Sequence, residues 1–207
     1  MSTSTPPIAE TDWAPSLASL YRLSVERYEA MAASGVLTKR DRLHLIRGFL
    51  VSKMTKHPPH SLACEATRLA IEGLLPGGWH VRSDQPLRMP SQASVPEPDL
   101  AVARGSCWDY PDRHPEPADV AIVVEVADSS LRDNRGMAEL YAAGGVPVYW
   151  IVNLVERQVE VYSDPSPAGY GSRLILKPDQ EIVVVVAGTE IGRIAVAAVL
   201  PRPPAAC

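Results

Sequence analysis

The sequence is short of aromatic residues, cysteine and net positive charge. Aromatics make up 6% of its 207 positions, with one phenylalanine, so base-stacking platforms for single-stranded nucleic acid are not expected. Cysteine occurs three times, at Cys64, Cys107 and Cys207. No Cys-x-x-Cys spacing is present, which argues against a thiolate zinc site and for free thiols in a reducing compartment. Lys and Arg total 20 against 24 Asp and Glu, a net charge of -4. A protein that coats nucleic acid by bulk charge is thereby excluded, and any such contact has to be local. No apolar run approaches the ~20 residues that span a bilayer. Met1 to Pro7 lacks the basic-then-apolar order of a secretory leader. These absences predict a cytoplasmic protein with no membrane partner.

What is present suits one globular domain. The chain is 46% hydrophobic and 21% charged, a composition that buries a core at this length. Residues 1–15, rich in Ser, Thr and Pro, are predicted as a mobile tail, 16–200 as a single domain and 201–207 as a second loose tail. Apolar spacing predicts a helix from Leu20 to Ala33, ended by Ser34 and Gly35. Leu43 to Met54 reads as a hairpin about Gly48. His57 to His60 reads as a breaker, and Ser61 as the cap of a helix presenting Leu62, Ala66, Leu69, Ala70 and Leu74 on one face. Strands are expected over Trp79–Met89, Pro98–Val102 and Asp119–Ala127, then a helix over Arg135–Ala143. A hairpin of Val148–Leu154 with Gln158–Tyr162 follows, then a pair of Arg173–Leu176 with Ile182–Val186. Tyr141, Tyr149 and Trp150 read as core residues.

Two carboxylates carry the chemistry. Glu125 interrupts the apolar strand Asp119–Ala127, where an ionised carboxylate costs several kcal/mol unless something pairs with it. Alternation places Ala121, Val123, Glu125 and Ala127 on one face, with small neighbours around the acid. Asp99 follows Pro96 and Pro98, which hold the chain extended at the mouth of the preceding strand. If the two strands pair, both acids point into one cavity. Such a pair suits Mg²⁺ or Mn²⁺, which keep open positions for water and phosphate oxygens. A turn residue at Asp99 and a salt-bridged Glu125 are the structural alternatives. The stretch from Lys39 to Lys56 adds a local positive patch. Lys39, Arg40, Arg42, Arg47, Lys53 and Lys56 against Asp41 leave +5, which suits the DNA backbone, or else only a solvated face. His60, at the start of the second predicted helix, is a candidate phosphate contact.

The order Pro98-Asp99, Glu125 to Ser130, then Glu139 to Asn153, resembles the Uma-type restriction-endonuclease family of the PD-(D/E)XK nuclease superfamily. Leu45 to Met54 with Pro58 to His60 is similar to its first half. The resemblance runs over roughly residues 20–165. It implies an α/β, restriction-endonuclease-like mixed sheet flanked by helices, and metal-dependent hydrolysis of DNA phosphodiesters. Asp99 and Glu125 match the acidic, metal-binding pair. The superfamily lysine falls on Ala127, and the lysine that this family carries in the next helix falls on Met137. Where the family has acids before its first glycine, the chain has His44 and Arg47. The nearest cations in sequence, Arg132 and Arg135, can hold a phosphate but do not deprotonate. Two readings follow. One is a metal-dependent endonuclease, expected as a homodimer, with Lys53, Lys56, His60 and Arg135 on nucleic acid. The other is a non-catalytic nuclease-fold protein that binds nucleic acid or a protein partner.

Overall fold

The computed structural model describes residues 16–202. The two expected tails, 1–15 and most of 201–207, lie outside the described residues, as does Cys207. In chain order the elements are α1 (Val25–Ala33), β1 (Leu43–Ile46), β2 (Phe49–Ser52), α2 (Pro58–Glu72), β3 (Trp79–Ser83), β4 (Leu100–Arg104) and β5 (Val120–Ala127). Then come α3 (Leu131–Ala143), β6 (Val148–Asn153), β7 (Gln158–Ser166), β8 (Gly169–Leu176), β9 (Glu181–Val186), β10 (Thr189–Ala195) and α4 (Val196–Val199).

A six-stranded sheet in the order β3-β4-β5-β6-β7-β8 forms the centre. All neighbours are antiparallel except β5 and β6, which run parallel and are joined across α3. β5 is central because its β-branched run is covered on both faces, as strands in parallel pairs require. Val124 and Val126 face a core with Trp150, Ile71 of α2, and Ile182 and Val184 of β9. Val123 and Ala127 face a second core with Leu140 and Tyr141 of α3, Tyr149 and Tyr162. Ala121 falls in the first core, because a register irregularity between Val102 and Ala103 interrupts the pairing of β4 with β5 there.

The hairpin β1–β2 turns through Arg47 and Gly48, both at positive φ (50° and 84°), the geometry of a two-residue hairpin loop. Glycine is needed at position 48 for a second reason: a Cβ there would lie 2.7 Å from Cβ of Arg22.

Several expectations shift. α2 begins at Pro58, with Pro58 and Pro59 in its first turn and His57 as N-cap. Proline is tolerated there because the first helical N–H groups have no intrahelical partner, so these prolines start the helix instead of breaking it. Its buried residues are His60, Ala63, Thr67 and Ile71, whereas Leu62 and Leu69 are 57% and 55% exposed. α3 begins at Leu131, a full turn before Arg135. β8 pairs with β7 at the edge of the main sheet, and β9 pairs with β10. The expected pairing of Arg173–Leu176 with Ile182–Val186 does not occur.

One buried ion cluster ties α3 to the sheet. The Glu160 side chain is fully buried on β7. It accepts from Arg135 Nη2 at 2.6 Å, Arg173 Nη2 at 2.8 Å, Asn153 Nδ2 at 3.0 Å and Tyr162 Oη at 2.8 Å. Burial pushes its carboxyl up, but these hydrogen bonds and the charge of Arg173 outweigh it and hold the pKa at about 2. The stability contributed is therefore fully present above about pH 4.5, the unfolded value, and is lost as pH falls toward 2. Glu160→Ala should cost about 3 kcal/mol at pH 7 by urea unfolding. It should also flatten the acid limb of stability between pH 4.5 and 2; an unchanged acid limb would assign that limb to other carboxylates.

Candidate active site

Asp99 and Glu125 come from adjacent strands. Asp99 directly precedes β4, where Leu100 pairs with Val124 of β5. It is 6% exposed, and its Oδ2 accepts the backbone N–H of Val126 at 2.7 Å. Its side chain thus extends the β4–β5 ladder by one hydrogen bond. Glu125 lies between the two β5 residues engaged in this way and points the other way from Val124 and Val126. Its Oε1 accepts the hydroxyl of Tyr141 from α3 at 2.9 Å.

The two acids are driven in opposite directions. Burial raises Asp99, but His60 and the charge of Lys56 overcome it and leave the carboxyl below its ordinary value. Burial and the adjacent Asp99 charge push Glu125 well above its ordinary value. Two like charges in one low-dielectric place favour one ionised and one neutral acid.

The surrounding groups come from α2 and the connector before it. His60 Nε2 lies 3.2 Å from Asp99 Oδ2, and His60 Nδ1 lies 3.4 Å from Cys64 Sγ one turn later. Lys56 Nζ is 2.7 Å from Asp99 Oδ1 and also contacts Asp84. Burial works against this ammonium, but the Asp99 charge and the Asp84 hydrogen bond prevail and hold it protonated. Burial and the Asp99 charge likewise push the Cys64 thiol up.

The acids open into a cavity of about 810 Å³ between the β1–β2 hairpin and the N-terminal half of α3. Both acids, Lys53, Lys56, His60 and Met137 are among its lining residues. Lys53 is paired with Glu97, and Arg47 with Glu139 at 3.4 Å. His44 also lines it, with a buried Nδ1 that has no hydrogen-bond partner. Burial, then the charge of Lys53, depresses its imidazole.

The structure therefore brings five of the six sequence-derived site residues to one cavity: Asp99, Glu125, Lys53, Lys56 and His60. It does not bring Arg135, whose guanidinium is engaged by Glu160 and by Glu156 at 3.0 Å. Tyr141 is buried, as expected of a core residue, but it also holds Glu125. The sequence presents Lys56 only as part of a basic patch, and His60 only as a phosphate contact. The contact of each with Asp99 spans about forty positions of chain, and nothing local marks it. Asp84 and Cys64 carry no signal beyond residue type.

The donor set fits a hard divalent cation. Two carboxylates from neighbouring strands face an open cavity, and a cationic ammonium already lies against Asp99. His60, Cys64 and Asp99 also offer ligand atoms within 4.8 Å of one another. In that trio the imidazole presents one nitrogen to the thiol and the other to the carboxylate. The ring thus separates the soft donor from the hard one, and the oxygen pair is the better cation site.

A mixed sheet with an acidic pair at the mouths of two central strands is the architecture of restriction-endonuclease-like nucleases, a class that generally uses divalent metals. The sequence model of Uma2, described as "Putative restriction endonuclease", matches residues 25–197, and the chain belongs to that family. The fold is similar to a crystal structure of a "putative nuclease belonging to DUF820" from Anabaena variabilis ATCC 29413. The TM-score is 0.64 at 14% identity, over 86% of this chain and 97% of that one. No curated protein matches in sequence. Among the described residues, no helix is long and apolar enough to cross a membrane.

The unequal state of the two acids has a measurable consequence. Glu125→Gln keeps an acceptor for Tyr141 and removes a buried charge site, so stability should be equal or higher. Asp99→Ala strips Val126 N–H of its acceptor and takes from Lys56 and His60 their buried carboxylate partner, which should cost about 2 kcal/mol. Paired urea-unfolding curves read both. A loss of about 3 kcal/mol in Glu125→Gln would instead mark Glu125 as a structural ion-pair member.

Proposed function

We propose that this protein is a divalent-metal-dependent endonuclease that hydrolyses DNA phosphodiester bonds, with Mg²⁺ or Mn²⁺ held by Asp99 and Glu125. The observation that carries this reading is the convergence of these two acids on one cavity, in a chain of the Uma2 family. In hydrolysis a new bond forms between phosphorus and the water oxygen, and the bond to the leaving sugar oxygen breaks. One proton leaves the water and one reaches the leaving oxygen. The metal, when bound, would polarise the phosphoryl group and lower the pKa of water. Asp99 and Glu125 would hold it, and the Tyr141 hydroxyl orients the Glu125 carboxyl for that task. His60 and Val126 N–H orient Asp99 from the other side. Lys53, Lys56 and His60 place positive and polar groups along the cavity for the DNA backbone, with Arg42 and Arg47 nearby. Cleavage of both duplex strands commonly uses two such centres, which a homodimer would supply.

A second reading, a non-catalytic nuclease-fold protein that binds nucleic acid or a partner, is favoured by two observations. Ala127 is fully buried and Met137 lines the cavity, so neither lysine position of the superfamily and family carries a cation. Incubation with supercoiled, linear and single-stranded DNA across divalent metals decides between the two readings. The expected outcome is nicking or linearisation with Mg²⁺ or Mn²⁺, abolished in Asp99→Ala and Glu125→Ala. Cleavage that survives both substitutions would sink the site assignment, and no cleavage with any metal would support the binding reading.

DNA affinity gives an independent check. Arg47→Ala and Arg42→Ala should weaken binding of every duplex alike. Each should lower the salt slope by about one unit for every phosphate that is no longer neutralised. An unchanged slope would place the DNA surface elsewhere.

A further inference from the structure

We infer that Lys56, carried by the connector between β2 and α2, is the cation of the reacting centre, contacting the scissile phosphoryl group and the attacking water beside Asp99 and Glu125. This inference rests on the nuclease reading above.

Among the described residues, the other cations along the cavity, Arg42, Arg47, Lys53 and Arg132, make no ion pair with Asp99 or Glu125. Lys53 is paired with Glu97, Arg47 with Glu139, and Arg42 donates to the carbonyl of Met54 at 3.0 Å. Among the described residues, Lys56 is the one lysine or arginine in ion-pair contact with either acid. An ammonium has three donors. Asp99 and Asp84 engage two of them, so one remains for a phosphoryl oxygen or a water. The Asp84 partner is 61% exposed, so that contact is weak and exchanges readily for a phosphate.

The position of Lys56 is set by the chain. Pro58 holds His57 extended, at φ -96° and ψ 162°, so α2 cannot extend back toward Lys56. Lys53 on Glu97 and Lys56 on Asp99 fasten the connector at two points to the segment that carries Asp99. A lysine need not lie on the strand of the acid or on α3 to reach the phosphate. The requirement is a positive donor at that point in space, because charge growing on the phosphoryl oxygens is stabilised by where a donor stands.

The test uses the full chain and three readouts: Mn²⁺ binding by calorimetry, binding of a 20-base-pair duplex in Ca²⁺, and single-turnover cleavage in Mg²⁺. In Lys56→Met, cleavage should fall about 100-fold or more. Duplex binding in Ca²⁺ should weaken about tenfold. Mn²⁺ affinity should hold or rise, since a like charge beside the cation is removed. Adding Met137→Lys, which places an ammonium in the same cavity from α3, should recover part of the missing rate. Lys56→Arg keeps both ion pairs but not the compact donor. A merely structural Lys56 would leave this variant at the wild-type rate, whereas the inference expects it slower. It also serves if Lys56→Met does not fold.

Wild-type cleavage by Lys56→Met, or a rate that rises with tighter Mn²⁺ binding, would overturn the inference and leave the nuclease reading intact. If the wild type does not cleave, the duplex measurement decides. Weaker binding by Lys56→Met then supports the phosphoryl contact while the nuclease reading fails, and unchanged binding overturns the contact too. A wild type that neither cleaves nor binds duplex overturns both.

Discussion

Asp99 is buried, charged and next to a second acid, and much of the surrounding structure answers that fact. A carboxylate taken from water costs several kcal/mol unless donors replace the solvent. Here the donors come from three directions: the Val126 amide of β5, the His60 ring of α2 and the Lys56 ammonium of the connector. Each comes from a different element, so the site forms only when the hairpin connector, α2 and the sheet are docked together. Glu125 is the reverse case. Burial and the field of Asp99 outweigh the Tyr141 hydroxyl and the Lys56 charge that favour its anion. A cation brought in from outside the fold would add the stabilisation that its charge lacks.

The second buried acid shows what a structural solution looks like. Glu160 is surrounded by two guanidinium groups, an amide and a phenol, and it is ionised and closed off. Glu125 has none of the arginines and opens on a cavity. The contrast separates an acid that serves stability from one placed at a cost to it. Both lie in the layer between the sheet and α3, and Tyr141, Tyr149 and Tyr162 bridge the distance between them with ring centroids 4.9 and 5.7 Å apart.

How much is legible in the sequence follows the range of each interaction. β5 can be read from its own residues, because a continuous β-branched run with one acid has few other destinations. Asp99 is legible from the two prolines that hold it extended. The start of α2 is not, because a proline pair stops a helix in one register and starts it in another, and only tertiary packing chooses. The same packing turns His60 inward and leaves Leu62 and Leu69 outside. The partner of β8 is hidden because strands of similar pattern differ little in local preference, and pairing is settled across the sheet. Lys56 is visible as a charge but not as a neighbour of Asp99, since the contact closes a long loop with no periodic signature.

The substituted positions cohere when taken together with Lys56. Ala127 is fully buried against α3, among Leu140, Tyr141 and Tyr149. An ammonium there would need room and a partner that this packing denies it. Met137 faces the cavity but is apolar, so it contributes contact and no field. With those two positions silent, the local charge balance of the acids depends on the connector. Asp99 and Asp84 are each -1, Glu125 is driven toward neutrality, and Lys56 returns +1. The remaining deficit is about one positive charge, at a place lined by carboxylate oxygens and open to solvent. A divalent cation would fill that deficit and draw Glu125 into its charged form, which Lys56 and Tyr141 alone do not achieve. The Asp99 carboxylate oxygens have lone pairs for both the connector lysine and an incoming cation, so the ammonium would not need to leave for the cation to be held.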